Sequence, residues 1–171
     1  TARHGAYSDA GARLHVANTF ATSRHVLAGL GQESRFEAVN RAAVGICRDA
    51  IGEGWVAGSI STYVIGSDRA DLPRGDALSR DVHDQATLLT DAGCDMIVLE
   101  MLFNVETSIE MIRAASKAGL LVSVGLTVTR GPDDEIYLRG EYAGRLVQEL
   151  RLDTALPTIV AAMPEDGILT L

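Results

Sequence analysis

The sequence predicts an α/β protein with a parallel sheet covered by helices. Three observations carry this. Short, mostly apolar runs of strand length recur along the chain, segments with helical apolar spacing separate them, and each run ends in a cluster of polar residues. Parallel strands are buried by the helices that connect them, so they read as apolar runs alternating with helical patterns.

Arg13–Asn18 reads as the first strand. Arg35–Glu53 follows as a helix, with Phe36, Val39, Ala43, Ile46 and Ala50 near 3.6 spacing and Gly52 and Gly54 at its end. Trp55–Ser61 is the second strand, and the polar stretch Ser67–Arg80, with Pro73 and Gly75, reads as a long loop. Asp81–Ala92 is a helix with Asp81 as N-cap and Gly93 as its stop. Asp95–Glu100 is the third strand, Asn104–Ala118 a helix ending at Gly119, and Leu120–Thr127 the fourth strand. Gly140–Leu150 reads as a further helix and Thr158–Met163 as a fifth strand. No linker breaks this order, so residues 1–171 are expected to form one domain.

Two parallel architectures compete. A doubly wound open sheet suits 171 residues better than a (β/α)8 barrel, which takes about 250. Yet no glycine-rich phosphate turn follows the first strand, and Gly29-x-Gly31 lacks the third glycine. In both architectures the carboxyl ends of the strands form the ligand edge. The polar clusters at Asn18-Thr19, Ser59–Tyr63, Glu100 and Thr127–Arg130 fall there.

Charge and composition narrow the function classes. Fifteen Lys and Arg against 23 Asp and Glu give 15 − 23 = −8, which argues against a nucleic-acid or anionic-membrane surface. The longest nearly apolar run, Gly119–Val128, is too short to cross a bilayer. Cys47 and Cys94 lie in apolar periodic segments and read as reduced core thiols, which points to the cytoplasm.

Glu100 is the sharpest candidate for chemistry. A carboxylate at the end of Met96-Ile97-Val98-Leu99 either caps the following loop or faces a pocket as a ligand or acid/base group. Asn18, Thr19, Ser59, Ser61 and Thr62 either start turns or line the same edge. His4 and Tyr7 share a helix face, His15 reads as a hydrogen-bonded packing residue, and His83 falls in a helix's first turn. None of the four histidines stands in metal-binding spacing. Trp55 and Phe103 read as packing residues.

Read together, these segments resemble the homocysteine S-methyltransferase family. His4-x-x-Tyr7-x-x-Ala10-Gly11-Ala12 looks like the family's helix before its second strand, and Asn18-Thr19-Phe20-Ala21-Thr22-Ser23 is similar to its TNTF-x-x-S segment. Gly58-Ser59-Ile60 followed by Tyr63 looks like its GSIGPY segment. Ala92-Gly93-Cys94-Asp95 through Glu100 resembles its AGVD…ET strand, with Glu106 in the helix that follows. Val122–Thr129 and Gly140-Glu141 resemble the next strand and helix start. The resemblance implies a (β/α)8 TIM barrel, incomplete here because the family's first strand would precede Thr1 and its last strands are not represented.

The resemblance also implies a chemistry. A zinc ion held by three cysteines would keep homocysteine as a thiolate, which takes a methyl group from a sulfonium or ammonium donor. Glu100 would bind the substrate amine, and Asn18, Thr19 and Ser59 would line the pocket. The implied partners are small molecules, and a homo-oligomer is compatible with the pattern. The departures are as specific. Ala161-Ala162-Met163 stands where the family's Asn-Cys is due, and its Gly-Gly-Cys-Cys pair is missing. Neither Cys47 nor Cys94 falls at the ligand edge. Two other readings stay open: a barrel lyase or aldolase with Glu100 as base, and a non-catalytic amino-acid-binding barrel.

Overall fold

The structure, a computed structural model, describes residues 2–62 and 72–127, and the backbone alone of 129–130, 136–138 and 141–142. Helix α1 (Ala2–Asp9) leads into β1 (Leu14–Ala17). A short helix α2 (Arg24–Gly29) and a single 3-10 turn precede α3 (Phe36–Ile51). Then come β2 (Trp55–Ile60), α4 (Asp76–Asp91), β3 (Met96–Leu102), α5 (Val105–Ser116) and β4 (Leu121–Leu126). Three short strands follow, β5 (Thr129–Arg130), β6 (Ile136–Leu138) and β7 (Glu141–Tyr142), paired antiparallel with one another.

Strands β1 to β4 are all parallel and lie side by side in chain order. Helix α3 packs on β1 and β2, α4 on β2 and β3, and α5 on β3 and β4. One apolar core joins them: Val44, Cys47 and Ile51 of α3, Val82, Ala86 and Leu89 of α4, and Met111 and Ile112 of α5 meet Ala17, Val56, Ile97 and Leu99 of the sheet. The register puts His15 and Ala17 level with Val56 and Gly58, so all four face these helices. The opposite face carries Leu14, Val16, Trp55 and Leu121, all exposed. A doubly wound sheet reverses its strand order and covers both faces. Among the described residues the strand order does not reverse, and α3, α4 and α5 pack on one face, although Ala57 and Ser59 of the other face are also buried.

Local sequence explains the elements. In α3 the buried positions Phe36, Asn40, Val44, Cys47 and Ile51 follow the helical repeat, and Gly52 leaves the helix at φ 63°. The side chain of Asn104 caps α5 by accepting a hydrogen bond from the Thr107 N–H at 2.9 Å. Gly58 is required by close packing, because a Cβ there would lie 2.7 Å from Leu89 Cδ1 and 3.2 Å from Cys94 Sγ.

The expected strands and helices through residue 127 are present, with ends shifted by a residue or two except in α4. That helix starts at Asp76 with Gly75 as N-cap, so five residues of the expected loop are helical and Asp81 is an interior, buried residue. His83 is correspondingly mid-helix. Helix α2 was not expected, because six residues are too few to show a period. Trp55, expected to pack, is 65% exposed. His15 is buried, with Nε2 3.2 Å from the Ala12 carbonyl, as a packing residue should be. Glu141 and Tyr142 form a strand where a helix was expected; the rest of Gly140–Leu150, and Thr158–Met163, lie outside the described residues.

Candidate functional site

The carboxyl edge of the sheet brings Thr19 and Ser59 together. The buried Thr19 hydroxyl donates to the Ser59 carbonyl at 2.8 Å and accepts from the Ser59 N–H at 2.9 Å. Both functions of this hydroxyl are therefore spent on pinning the end of β1 to β2. Behind it, Gln85 Nε2 donates to the Thr19 carbonyl at 3.0 Å, and the single proton of the Thr22 hydroxyl lies between two acceptors, that carbonyl at 2.8 Å and Asn40 Oδ1 at 2.7 Å. Asn40 Nδ2 returns hydrogen bonds to the carbonyls of Thr22 and Phe36. Two helices thus anchor the turn that follows Asn18.

Asn18 is exposed at the end of β1. Ser59 is 2% exposed, and its Oγ has no hydrogen-bond partner among the described residues. A buried hydroxyl left unpaired costs about 1–3 kcal/mol, and the buried Gln85 Oε1 is in the same state among the described residues. By register, Ser59 is level with Val98, and Glu100 lies two residues further along the same face of β3. At about 3.3 Å rise per residue, that is about 7 Å along the strand. Glu100 is half-buried. The structure thus places Asn18, Ser59 and Glu100 along one rim and turns Thr19 into its brace.

This rim is not the most enclosed space. A cavity of about 740 Å³ lies beside it, between the Leu72–Gly75 segment and α5, and is lined by Thr62, Phe103, Glu106, Glu110 and Arg113 among others. None of Asn18, Thr19, Ser59 or Glu100 lines it. The face that carries Ser59 and Glu100 is one wall of a four-stranded sheet, and one wall encloses nothing by itself.

Neither cysteine suits a metal. Both are buried, burial pushes the Cys47 thiol up, and burial, followed by the charge of Asp95, pushes Cys94 up to about 12. Cys94 also precedes β3, at the edge opposite Glu100. Among the described residues no group of three His, Cys, Asp or Glu can hold a metal ion. The expected zinc therefore has no fitting donor set in this part of the protein.

Sequence reasoning missed the supports. Gln85 and Asn40 are polar residues at core-spaced positions of α4 and α3, flanked by Val82 and Leu89 and by Phe36 and Val44. That interruption of an apolar face was legible as a buried polar network. The pairing of His25 Nδ1 with Asp81 Oδ2 at 2.5 Å was not, since the two lie 56 residues apart. Asp81 Oδ1 also accepts from the Arg24 N–H, so Asp81 holds the start of α2 against α4.

The fold is that of an α/β protein whose parallel sheet keeps chain order, with α3, α4 and α5 packed on it. The sequence model of the family described as Homocysteine S-methyltransferase matches residues 1–162, and the chain belongs to this family. No curated protein sequence matches it significantly. Among solved structures, the homocysteine methyltransferase MmuM from Escherichia coli in its metallated form aligns with a TM-score of 0.70 at 22% identity, over 86% of this chain and 57% of that one. Its oxidized form aligns with 0.69 at 20% identity, over 87% and 56%. The chain thus spans little more than half the length of these structures.

Proposed function

We propose that the protein carries the homocysteine-binding part of a methyltransferase that converts homocysteine to methionine, and that its sheet is one half of a (β/α)8 barrel. The observation that carries this is the family match over residues 1–162, with Glu100 at the strand-end rim where the family resemblance puts the substrate amine. In the reaction, the homocysteine sulfur attacks the methyl carbon of a sulfonium or ammonium donor. A new S–CH3 bond forms, the donor's bond to that carbon breaks, and the electron pair leaves with the donor.

The residues on the rim have defined tasks in this reading. The Glu100 carboxylate accepts hydrogen bonds from the substrate ammonium, a charge-assisted contact in a partly desolvated position. The unpartnered Ser59 Oγ and the exposed Asn18 amide offer further polar contacts to the amino-acid head. Thr19 keeps Ser59 in register. Zinc, the metal we propose for the whole protein, would need donors outside the described residues, and no step is assigned to it. No helix among the described residues is long and apolar enough to cross a membrane. We place the protein in the cytoplasm, in methionine synthesis, with small-molecule partners.

The test is methyl transfer from S-methylmethionine or betaine to homocysteine by the intact protein, together with its metal content. Transfer that requires bound metal supports the reading. Homocysteine binding without transfer, in metal-free protein and after metal addition, would favour the non-catalytic amino-acid-binding alternative.

A further inference from the structure

Gln85 lies in the middle of α4, wholly buried, on the side of the helix where Val82, Ala86 and Leu89 join the apolar core. Only its amide nitrogen is used. Nε2 lies 3.0 Å from the Thr19 carbonyl oxygen and 3.3 Å from both Thr22 Oγ1 and Asn40 Oδ1, whereas Oε1 has no partner among the described residues. The reverse amide orientation would set Oε1 against the Thr19 carbonyl oxygen, so the nitrogen must face the turn. A buried acceptor left unpaired reduces stability, and an apolar side chain of the same length would avoid that loss. Stability alone therefore does not account for a carboxamide here.

The supply of protons does. The Thr22 hydroxyl has one proton and two acceptors, the Thr19 carbonyl at 2.8 Å and Asn40 Oδ1 at 2.7 Å. The Thr19 carbonyl takes one longer bond besides, 3.3 Å from the Thr22 N–H. Both protons of Asn40 Nδ2 go elsewhere, to the carbonyls of Thr22 and Phe36. Without Gln85, the Thr22 hydroxyl would have to choose between closing the turn on itself and tying it to α3. The two protons of Gln85 end that choice, one on the Thr19 carbonyl and one for Thr22 Oγ1 and Asn40 Oδ1. The turn then has a single arrangement, bonded to α3 and α4 together. Thr19 passes this on, because its hydroxyl holds the backbone of Ser59 at 2.8 Å and 2.9 Å.

We propose that Gln85 is a positioning residue, whose amide holds the turn from Asn18 to Thr22 in the one arrangement that presents Asn18 and Ser59 to the amino-acid head of the substrate. The proposal rests on the reading of the rim given above. Gln85 acts through Asn18 and Ser59 and not through Glu100, which stands on β3 outside this network.

The experiment measures homocysteine affinity by calorimetry and melting temperature for the intact protein with Gln85→Met, alone, with Asn18→Ala and Ser59→Ala together, and with Glu100→Gln. Gln85→Met should melt within about 3 °C of the parent, because loss of the unpaired oxygen offsets loss of the amide's hydrogen bonds. It should bind homocysteine about 10-fold more weakly. That loss should shrink below about 2-fold in the Asn18→Ala and Ser59→Ala background and stay near 10-fold in the Glu100→Gln background. Should Gln85→Met not fold, Gln85→Asn, which keeps the amide and draws it back by one methylene, makes the same comparison. Unchanged affinity, an equal loss in the Asn18→Ala and Ser59→Ala background, or a loss that vanishes only with Glu100→Gln overturns the proposal. If Asn18→Ala with Ser59→Ala binds like the parent, the reading of the rim fails and this proposal with it. If that pair binds weakly and the Gln85 variants bind like the parent, this proposal alone fails.

Discussion

Replacing Thr19 with valine tests whether this residue braces the site or touches ligand. Valine keeps the shape and the methyl group and removes only the hydroxyl. Two buried hydrogen bonds go with it, at 2.8 Å and 2.9 Å, both to the backbone of Ser59. Each is worth about 1 kcal/mol net, and the Ser59 N–H and C=O are left unpaired in the interior, where each orphaned group costs about 1–3 kcal/mol. Partial relaxation lowers the sum, so Thr19→Val should destabilise by about 3 kcal/mol. Urea unfolding should show this as a lower midpoint with an unchanged slope. Thr19→Ser, which keeps the hydroxyl, should lose about 1 kcal/mol for the missing methyl and retain homocysteine affinity. A loss below about 0.5 kcal/mol for Thr19→Val would refute the bracing role. Full stability in Thr19→Ser with lost affinity would return Thr19 to the pocket wall.

Three further outcomes are expected. Glu100→Ala should weaken homocysteine binding by about 2 kcal/mol, or about 30-fold in Kd, measured by calorimetry; a folded variant with unchanged Kd removes Glu100 from the site. Gly58→Ala should destabilise by about 1–3 kcal/mol in the same urea assay, because its Cβ would meet Leu89 and Cys94, and a neutral result would mean α4 can move off β2. Asp95 accepts from Arg48 at 2.6 Å and from the Val56 N–H at 2.7 Å, and these bonds hold its carboxyl below the usual range despite the opposing effect of burial. A depressed carboxyl stabilises the fold above the unfolded-state value near pH 4 and loses that contribution as pH falls through the folded value. The stability gap between the parent and Asp95→Asn, about 1 kcal/mol because the pair is more than one-third exposed, should be constant from pH 5 to 7 and close below pH 4; a gap that widens in acid would contradict this.

How much of this was legible in the sequence depended on the range of the interaction. The four parallel strands and the helices between them showed because each carries its own period and its own terminal signal, such as Asn104 before α5 and Gly52 after α3. Helix α4 was begun too late because Asp81 is a good cap by residue type, while the true cap, Gly75, sits in a stretch rich in turn formers. What Asp81 does is settled by His25 and Arg24, far away in sequence. The site followed the same rule. Glu100 stood out as a charge ending an apolar run. The spent hydroxyl of Thr19 did not, since a strand-end threonine looks the same whether it faces a ligand or a neighbouring strand. The bulge that sets Glu100 and Met101 against Gly125 alone gave no signal at all, because a bulge lies in the mismatch between two strands and neither strand encodes it by itself.

The two edges of the sheet differ in how their polar groups are satisfied, and this difference supports the placement of the site independently of family resemblance. At the amino edge, Arg48 ties α3 to both neighbouring strand starts: Nη1 donates to the Gly54 carbonyl, and Nη2 to the Gly93 carbonyl and Asp95. Asp95 in turn caps Val56, so every group in that clamp has a partner. At the carboxyl edge bonding is incomplete even among the supports, since the buried Gln85 Oε1 has no partner among the described residues. Ser59 Oγ is buried without a partner among the described residues, and the residue beside Glu100 is held in a left-handed conformation. Unpaired polar atoms and backbone strain both reduce stability, and they persist together here only because Gln85, Asn40 and Thr19 hold the rim from behind. On the proposed barrel reading, stability and function divide between the same two edges, and the carboxyl edge is where the proposed substrate would sit.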